Sequence, residues 1–125
     1  EAGVADKIIL TGKVSNQTRF HLFNNCYAFV FPSLSEGFGL PVIEAMSLGK
    51  PVFLSRLTSL PEVGGTEAFY FDDFSAQNMR KTFEEGMANY LKNPEKAERI
   101  KEWAKQFTWE NAAAEYLNLY RQVLA

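Results

Sequence analysis

Between Lys7 and Phe71 the chain is a series of short, almost wholly apolar runs cut apart by glycine and proline. They are KIILTG (Lys7–Gly12), YAFVFPS (Tyr27–Ser33), KPVFLS (Lys50–Ser55) and AFYF (Ala68–Phe71). Runs this short, with no alternating polar face, fit strands covered on both sides, as in a parallel sheet. Parallel neighbours need crossover segments, and helical stretches lie between the runs. Ser15 is placed to cap a helix through Asn25, with Phe20 and Phe23 on its inner face. Pro41 and Gly49 suit the start and stop of another, about two turns long. The expectation is an α/β fold with an open parallel sheet.

Beyond Ser75 the pattern changes to long charged segments with helical periodicity. Ser75 caps a stretch with apolar residues at Ala76, Met79, Phe83, Met87 and Tyr90, the three-and-four spacing of an amphipathic helix. Asn93-Pro94 restarts a second, carrying Ala97, Ile100 and Trp103. Thr108 caps a third, with its stripe on Trp109, Ala112, Tyr116, Tyr120 and Val123. These C-terminal helices carry more apolar surface than so small a sheet can cover.

Composition agrees with a packed domain and excludes several alternatives. At 46% hydrophobic residues with 11 Phe, the chain is neither disordered nor a disulfide-stapled mini-protein. Thirteen Lys+Arg against 15 Asp+Glu give a net charge of −2, so the bulk electrostatics of nucleic-acid binding are missing. Cys26 is the single cysteine and forms no internal disulfide, which points to a reducing compartment. No apolar run approaches the ~20 residues of a spanning helix, and no signal-peptide pattern opens the chain. A cytoplasmic domain is expected.

The informative stretch is PSLSEGFGLPVIEAMSLGKPV, from Pro32 to Val52. It leaves the carboxyl end of an expected strand, turns through Glu36-Gly37-Phe38-Gly39 and enters a helix near Pro41. Ligands of open α/β sheets bind at strand carboxyl ends. A helix N-terminus there offers unpaired N–H groups and the positive end of a dipole, a natural phosphate site. Gly37 and Gly39 let the backbone approach a ligand closely. Glu36, in the loop, and Glu44, expected in about the first helical turn, flank that site. Carboxylates accept hydrogen bonds from paired hydroxyls. A nucleotide-sugar, with hydroxyls on both sides of a diphosphate, fits the set. Each part has a plainer reading: a glutamate near a helix start often only complements the dipole, and glycines make turns.

The whole string resembles the donor-binding signature of retaining glycosyltransferases of the two-domain GT-B architecture, particularly the large family-4 group. Pro32-Ser33, Glu36 to Pro41, Glu44, Ala45-Met46, Gly49 and Pro51-Val52 carry the likeness. It extends to Ile8–Val14, to Ser59-Leu60-Pro61-Glu62-Val63, and to Phe107–Glu110 with Ala112-Ala113 and Tyr120-Arg121. The resemblance implies a Rossmann-like half of a GT-B fold. Residues 1–125 would form part of a C-terminal nucleotide-sugar-binding domain, without its first strands or the N-terminal acceptor domain.

By that resemblance Glu36 is the catalytic-site residue, contacting the donor hexose near the reacting centre. Gly37, Phe38, Gly39 and Leu40 meet the hexose and diphosphate, Glu44 the ribose hydroxyls, and the Gly12–Val14 turn the nucleobase. Neither metal nor other cofactor is implied; the nucleoside-diphosphate sugar is substrate. The implied acceptor is a glycan, a lipid-linked or a small-molecule hydroxyl, reached through the other domain. The implied setting is the cytoplasm, with peripheral association at the inner face of the membrane for the full-length enzyme. The family's basic pair near the diphosphate has no counterpart here, so the segment alone is expected to be inactive. A non-catalytic nucleotide-sugar-binding module is the alternative. A dehydrogenase is disfavoured, since no G-x-G-x-x-G follows a strand. Phosphorylases and epimerases of similar architecture are harder to separate.

Other residues read more plainly. His21 has no partner at metal spacing, and a solvent-facing or half-buried helix position is expected. Cys26 reads as a buried thiol. Asp72-Asp73 read as turn and dipole charges before a helix, and Arg56 as an exposed loop residue.

Overall fold

The computed structural model describes residues 3–124; the first two residues and the last of the expected 1–125 unit lie outside them. Three parallel strands, β1 (Phe29–Phe31), β2 (Val52–Ser55) and β3 (Phe69–Phe71), form a sheet in the order β1-β2-β3. Phe29 pairs with Val52, and Phe53 with Phe69. Helix α2 (Leu40–Ser47) makes the first crossover and α3 (Leu60–Gly64) the second. α1 (Asn16–Asn25) precedes the sheet; α4 (Ala76–Lys92), α5 (Lys96–Ala104) and α6 (Trp109–Leu124) follow it. This is the expected open parallel α/β sheet with C-terminal helices, and it matches a Rossmann-like half of a GT-B fold. Among the described residues no helix is long and apolar enough to cross a membrane.

β2 is buried along its whole length because it is central and covered on both faces. Val52 and Leu54 face one way, into a core with Val42, Ala45 and Met46 of α2, Leu60 and Val63 of α3, and Ile100 and Ala104 of α5. Phe53 faces the other way, with Phe71, Met87 and the partly buried Phe69, Phe83 and Met79 of the sheet and α4. Its ring stacks on Phe69 at 5.0 Å and lies 4.8 Å from Phe83. Gly86 lets α4 come this close: a Cβ there would sit 2.5 Å from the Phe53 ring. The caps fall where the sequence puts them. Ser75 Oγ accepts from the Asn78 N–H, and Thr108 Oγ1 from the Asn111 N–H at 3.1 Å.

Several expectations are corrected. Lys7–Gly12 forms no strand: Ala5–Lys7 is a single 3-10 turn, and Ile9 and Leu10 are 85% and 92% exposed. An apolar β-branched run favours extended backbone, but a strand also needs a ladder partner, and this run is seated on neither edge of the sheet. Nor is β1 covered on both faces: Phe29 and Phe31 pack on the core, while Val30, on the opposite face, is 44% exposed. On α1 only Phe23 packs inward, edge-on to Phe29 at 5.1 Å, while Phe20 is exposed. Ala76 likewise lies on an exposed turn of α4. Cys26 is half-buried, donating its S–H to the Phe23 carbonyl. α3 has no counterpart in the sequence-based expectation, although Pro61 in its first turn is a start signal. The surplus apolar surface is real: Trp109, Tyr116, Tyr120 and Val123 of α6 are all exposed.

Candidate functional site

The loop from Pro32 to Gly39 leaves β1 at its carboxyl end and enters α2. Gly39 caps that helix in the left-handed region at φ +96, which L side chains rarely adopt. It is also buried, and a Cβ would meet Leu60 Cδ2 at 3.0 Å. Pro41 lies in the first turn, where its missing N–H costs nothing. Among the described residues the N–H groups of Gly37, Phe38, Gly39 and Leu40 donate to no protein acceptor, whereas Val42 N–H closes on the Gly39 carbonyl at 2.9 Å. A row of free donors at the positive end of a helix can receive an anion.

The loop is latched by hydroxyls from the segment after β2. The Glu36 N–H donates to Thr58 Oγ1 at 3.1 Å, and Ser59 Oγ donates to the Phe38 carbonyl at 3.1 Å. Ser55, at the end of β2, donates to the Ser33 carbonyl at 2.6 Å. Thr58 holds this position with φ +51. Ser33 Oγ in turn donates to Glu36 Oε1 at 2.7 Å, fixing a half-buried carboxylate. Phe38 meets Phe107, from the link between α5 and α6, edge-on at 6.0 Å.

Glu44 lies in the second turn of α2, because the helix already begins at Leu40. Its Oε1 is 3.1 Å from Arg19 Nη2 on α1, with the two side chains 39% and 47% exposed. Its Oε2 is enclosed and has no hydrogen-bond partner. Gly12 and Val14 stand apart: no hydrogen bond or ion pair joins their turn to the loop among the described residues. Two shallow concavities, of about 500 and 650 Å³, lie against α4 and against Glu67, Arg99 and Trp103, and neither touches the loop.

Sequence reasoning misses four features. The latch residues Ser55 and Thr58 give no signal, since a left-handed threonine cannot be read from its neighbours. Ser33 and Ser59 lie within the recognised string, but nothing in it assigns them a task. The Arg19–Glu44 pair joins separate helices. A buried cluster joins α5 to the turn before β3: Lys96 Nζ meets Glu67 Oε2 at 2.7 Å, 5.3 Å from the Phe69 ring centroid, with Arg99 also on Glu67. Burial alone would push the Glu67 carboxyl up; the Lys96 hydrogen bond and charge, helped by Arg99, hold it below the usual value. Arg56 is an exposed loop residue, paired with Asp72 at 2.6 Å and lying over Tyr70. Burial pushes the Tyr70 phenol up to about 12, against the opposing charge of Arg56. Asp73 accepts from the Ser75 N–H at 2.7 Å at the start of α4, as a turn residue should.

Fold and loop together define a class: parallel α/β domains with a glycine-bearing strand–loop–helix turn, free N–H groups at its helix start and carboxylates beside it. The chain belongs to the glycosyl transferases group 1 family, whose sequence profile matches residues 1–107. It is 41% identical over 108 residues to the serotype-specific mannosyltransferase WbdA of Escherichia coli, covering 86% of this chain and 13% of that protein. It is 36% identical over 110 residues to the O-antigen chain mannosyltransferase B of Escherichia coli, covering 88% of this chain and 29% of that one. The MMP alpha-(1->4)-mannosyltransferase of Mycolicibacterium hassiacum is 26% identical over 130 residues, covering 100% of this chain and 31% of its own length. The chain thus spans less than a third of these relatives.

Proposed function

We propose that this chain is part of the donor-binding domain of a retaining, family-4 type GT-B glycosyltransferase. The enzyme would transfer a mannosyl unit from a nucleoside-diphosphate mannose to a hydroxyl of a growing cell-surface glycan. The observation that carries this reading is the row of free N–H groups from Gly37 to Leu40 at the start of α2, bracketed by Glu36 and Glu44. Mannosyltransferase relatives, two of them named for O-antigen or serotype, support the sugar and the product class.

Glu36, oriented by Ser33, sits against the donor hexose and stabilises positive charge that develops at its reacting carbon. The Phe38, Gly39 and Leu40 N–H groups and the α2 dipole receive the diphosphate. They stabilise it further as it departs with the electron pair of the breaking bond, an oxyanion-type contribution from donors already in place. Glu44 accepts from the ribose hydroxyls, and the Gly12–Val14 turn lies by the base. No metal or other cofactor has a role in this reading. The acceptor site belongs to a second domain, so residues 1–125 alone do not transfer sugar. The working location is the cytoplasmic face of the membrane, where such an enzyme meets its acceptor.

The test is a donor screen on the full-length protein with GDP-mannose, UDP-glucose and UDP-galactose. NMR of the product reports whether the anomeric configuration of the donor is kept. Glu36→Ala should abolish transfer while donor binding persists. Unchanged transfer in that variant would take Glu36 out of the reaction and favour a non-catalytic nucleotide-sugar-binding role for this segment, and an inverted product would reject retention.

A further inference from the structure

Glu44 is a carboxylate with its two oxygens in unlike states. Oε1 faces the Arg19 guanidinium at 3.1 Å. Oε2 is shut away from solvent and, among the described residues, has no donor. An ionised oxygen withdrawn from water and left unpaired is unfavourable, and native structures seldom keep one without a use. Nothing in the α2 core needs a carboxylate there, since its buried residues Val42, Ala45 and Met46 are apolar.

We propose that Arg19 is the positioning residue for Glu44: it holds the half-exposed carboxyl group so that Oε1, with a lone pair beyond the Arg19 contact, accepts from a ligand hydroxyl, and so sets donor affinity. The inference rests on the ribose-binding role given to Glu44 above. Two physical points support it. Arg19 comes from α1, a different element from the loop, so the pair fixes Glu44 against a second body rather than against its own helix. Finally, a lone carboxylate beside an N–H row meant for a diphosphate would repel it. The adjacent guanidinium cancels that charge locally while leaving acceptor lone pairs free.

Arg19 acts through Glu44 and touches neither the sugar nor the phosphate, so its removal should weaken donor binding without slowing chemistry. In the full-length protein, Arg19→Leu should raise the donor KM about threefold to fivefold, the scale of a half-exposed ion pair, with kcat unchanged. Arg19→Lys should recover most of that loss. In a Glu44→Gln background, Arg19→Leu should add nothing. Binding of GDP-mannose, UDP-glucose, GDP and UDP is measured by calorimetry alongside, and the tightest ligand is carried through the variants.

The failures separate. If none of the four ligands binds, or if Glu44→Gln leaves donor affinity untouched, the reading of Glu44 falls and takes this inference with it. If Glu44→Gln weakens binding but Arg19→Leu does not, the Arg19 inference alone falls. It also falls if Arg19→Leu tightens binding, if it lowers kcat instead, or if it weakens binding equally with and without Glu44.

Discussion

Two of the glutamates that face arginines, Glu67 and Glu44, have surroundings that could hardly differ more. Glu67 is 16% exposed and accepts from both Lys96, itself 6% exposed, and Arg99. Its charge is neutralised and its leading oxygen doubly bonded, so the cluster fastens α5 to the segment before β3. Glu44 stands at the half-exposed meeting of α1 and α2, with one partner and one enclosed, unpaired oxygen. A complete cluster stabilises a fold; under the proposed function the incomplete pair carries ligand-binding charge instead, and the contrast between the two can be tested.

The largest effect should come from breaking the complete cluster. Glu67→Ala strands Lys96 in an apolar pocket against Phe69 and should cost roughly 3 kcal/mol, the scale of a buried pair robbed of one partner. Urea unfolding followed by tryptophan fluorescence measures it; a loss no greater than that of an ordinary surface substitution would erase the distinction. The same cluster sets an acid limb. The folded Glu67 carboxyl lies below its ordinary value near 4.5. Its stabilisation is therefore complete above that value and lost as pH falls through the lower folded one. Glu67→Gln should flatten that part of the stability–pH curve.

Next in size is Tyr70, whose hydroxyl donates to the Gly65 carbonyl at 2.7 Å beside the same segment. Tyr70→Phe should cost about 1 kcal/mol for the lost hydrogen bond. With its folded pKa pushed up from 10.0 to about 12, the phenol's stabilisation is present below pH 10 and lost as pH rises toward 12. The variant should remove that alkaline loss. Smallest is the effect of Glu44→Gln on stability, expected within about 0.5 kcal/mol of no change, as for a site that does not hold the fold. A loss as large as that of Glu67→Ala would make Glu44 structural and sink the comparison.

What can be read from the chain alone follows from how local each cause is. β2, β3 and the caps at Ser75 and Thr108 are decided by neighbouring residues, and they appear where the pattern puts them. The loop is legible because glycine, proline and glutamate at fixed offsets each answer a backbone or hydrogen-bonding need. Ile8–Leu10 shows the limit: the run has a strand's composition, but pairing depends on what lies alongside, and no strand among the described residues does. The ion pairs are invisible for a related reason, since Arg19 meets Glu44 and Lys96 meets Glu67 only after separate parts of the chain have packed. Glu44 falls just past the first turn expected of it, because α2 begins at Leu40, one residue before Pro41.

The hydroxyl latch on the loop has a consequence for how this site behaves in solution. Thr58 and Ser59 hold the backbone of Glu36 and Phe38, and Ser55 that of Ser33, through neutral groups. Serine and threonine hydroxyls neither ionise over the biological pH range nor attract counterions. The frame of the site is thus indifferent to acidity and ionic strength. Any pH or salt dependence of ligand binding at this loop reports the carboxylates, Arg19 and the ligand's own charges, and not a loosening of the loop that carries them.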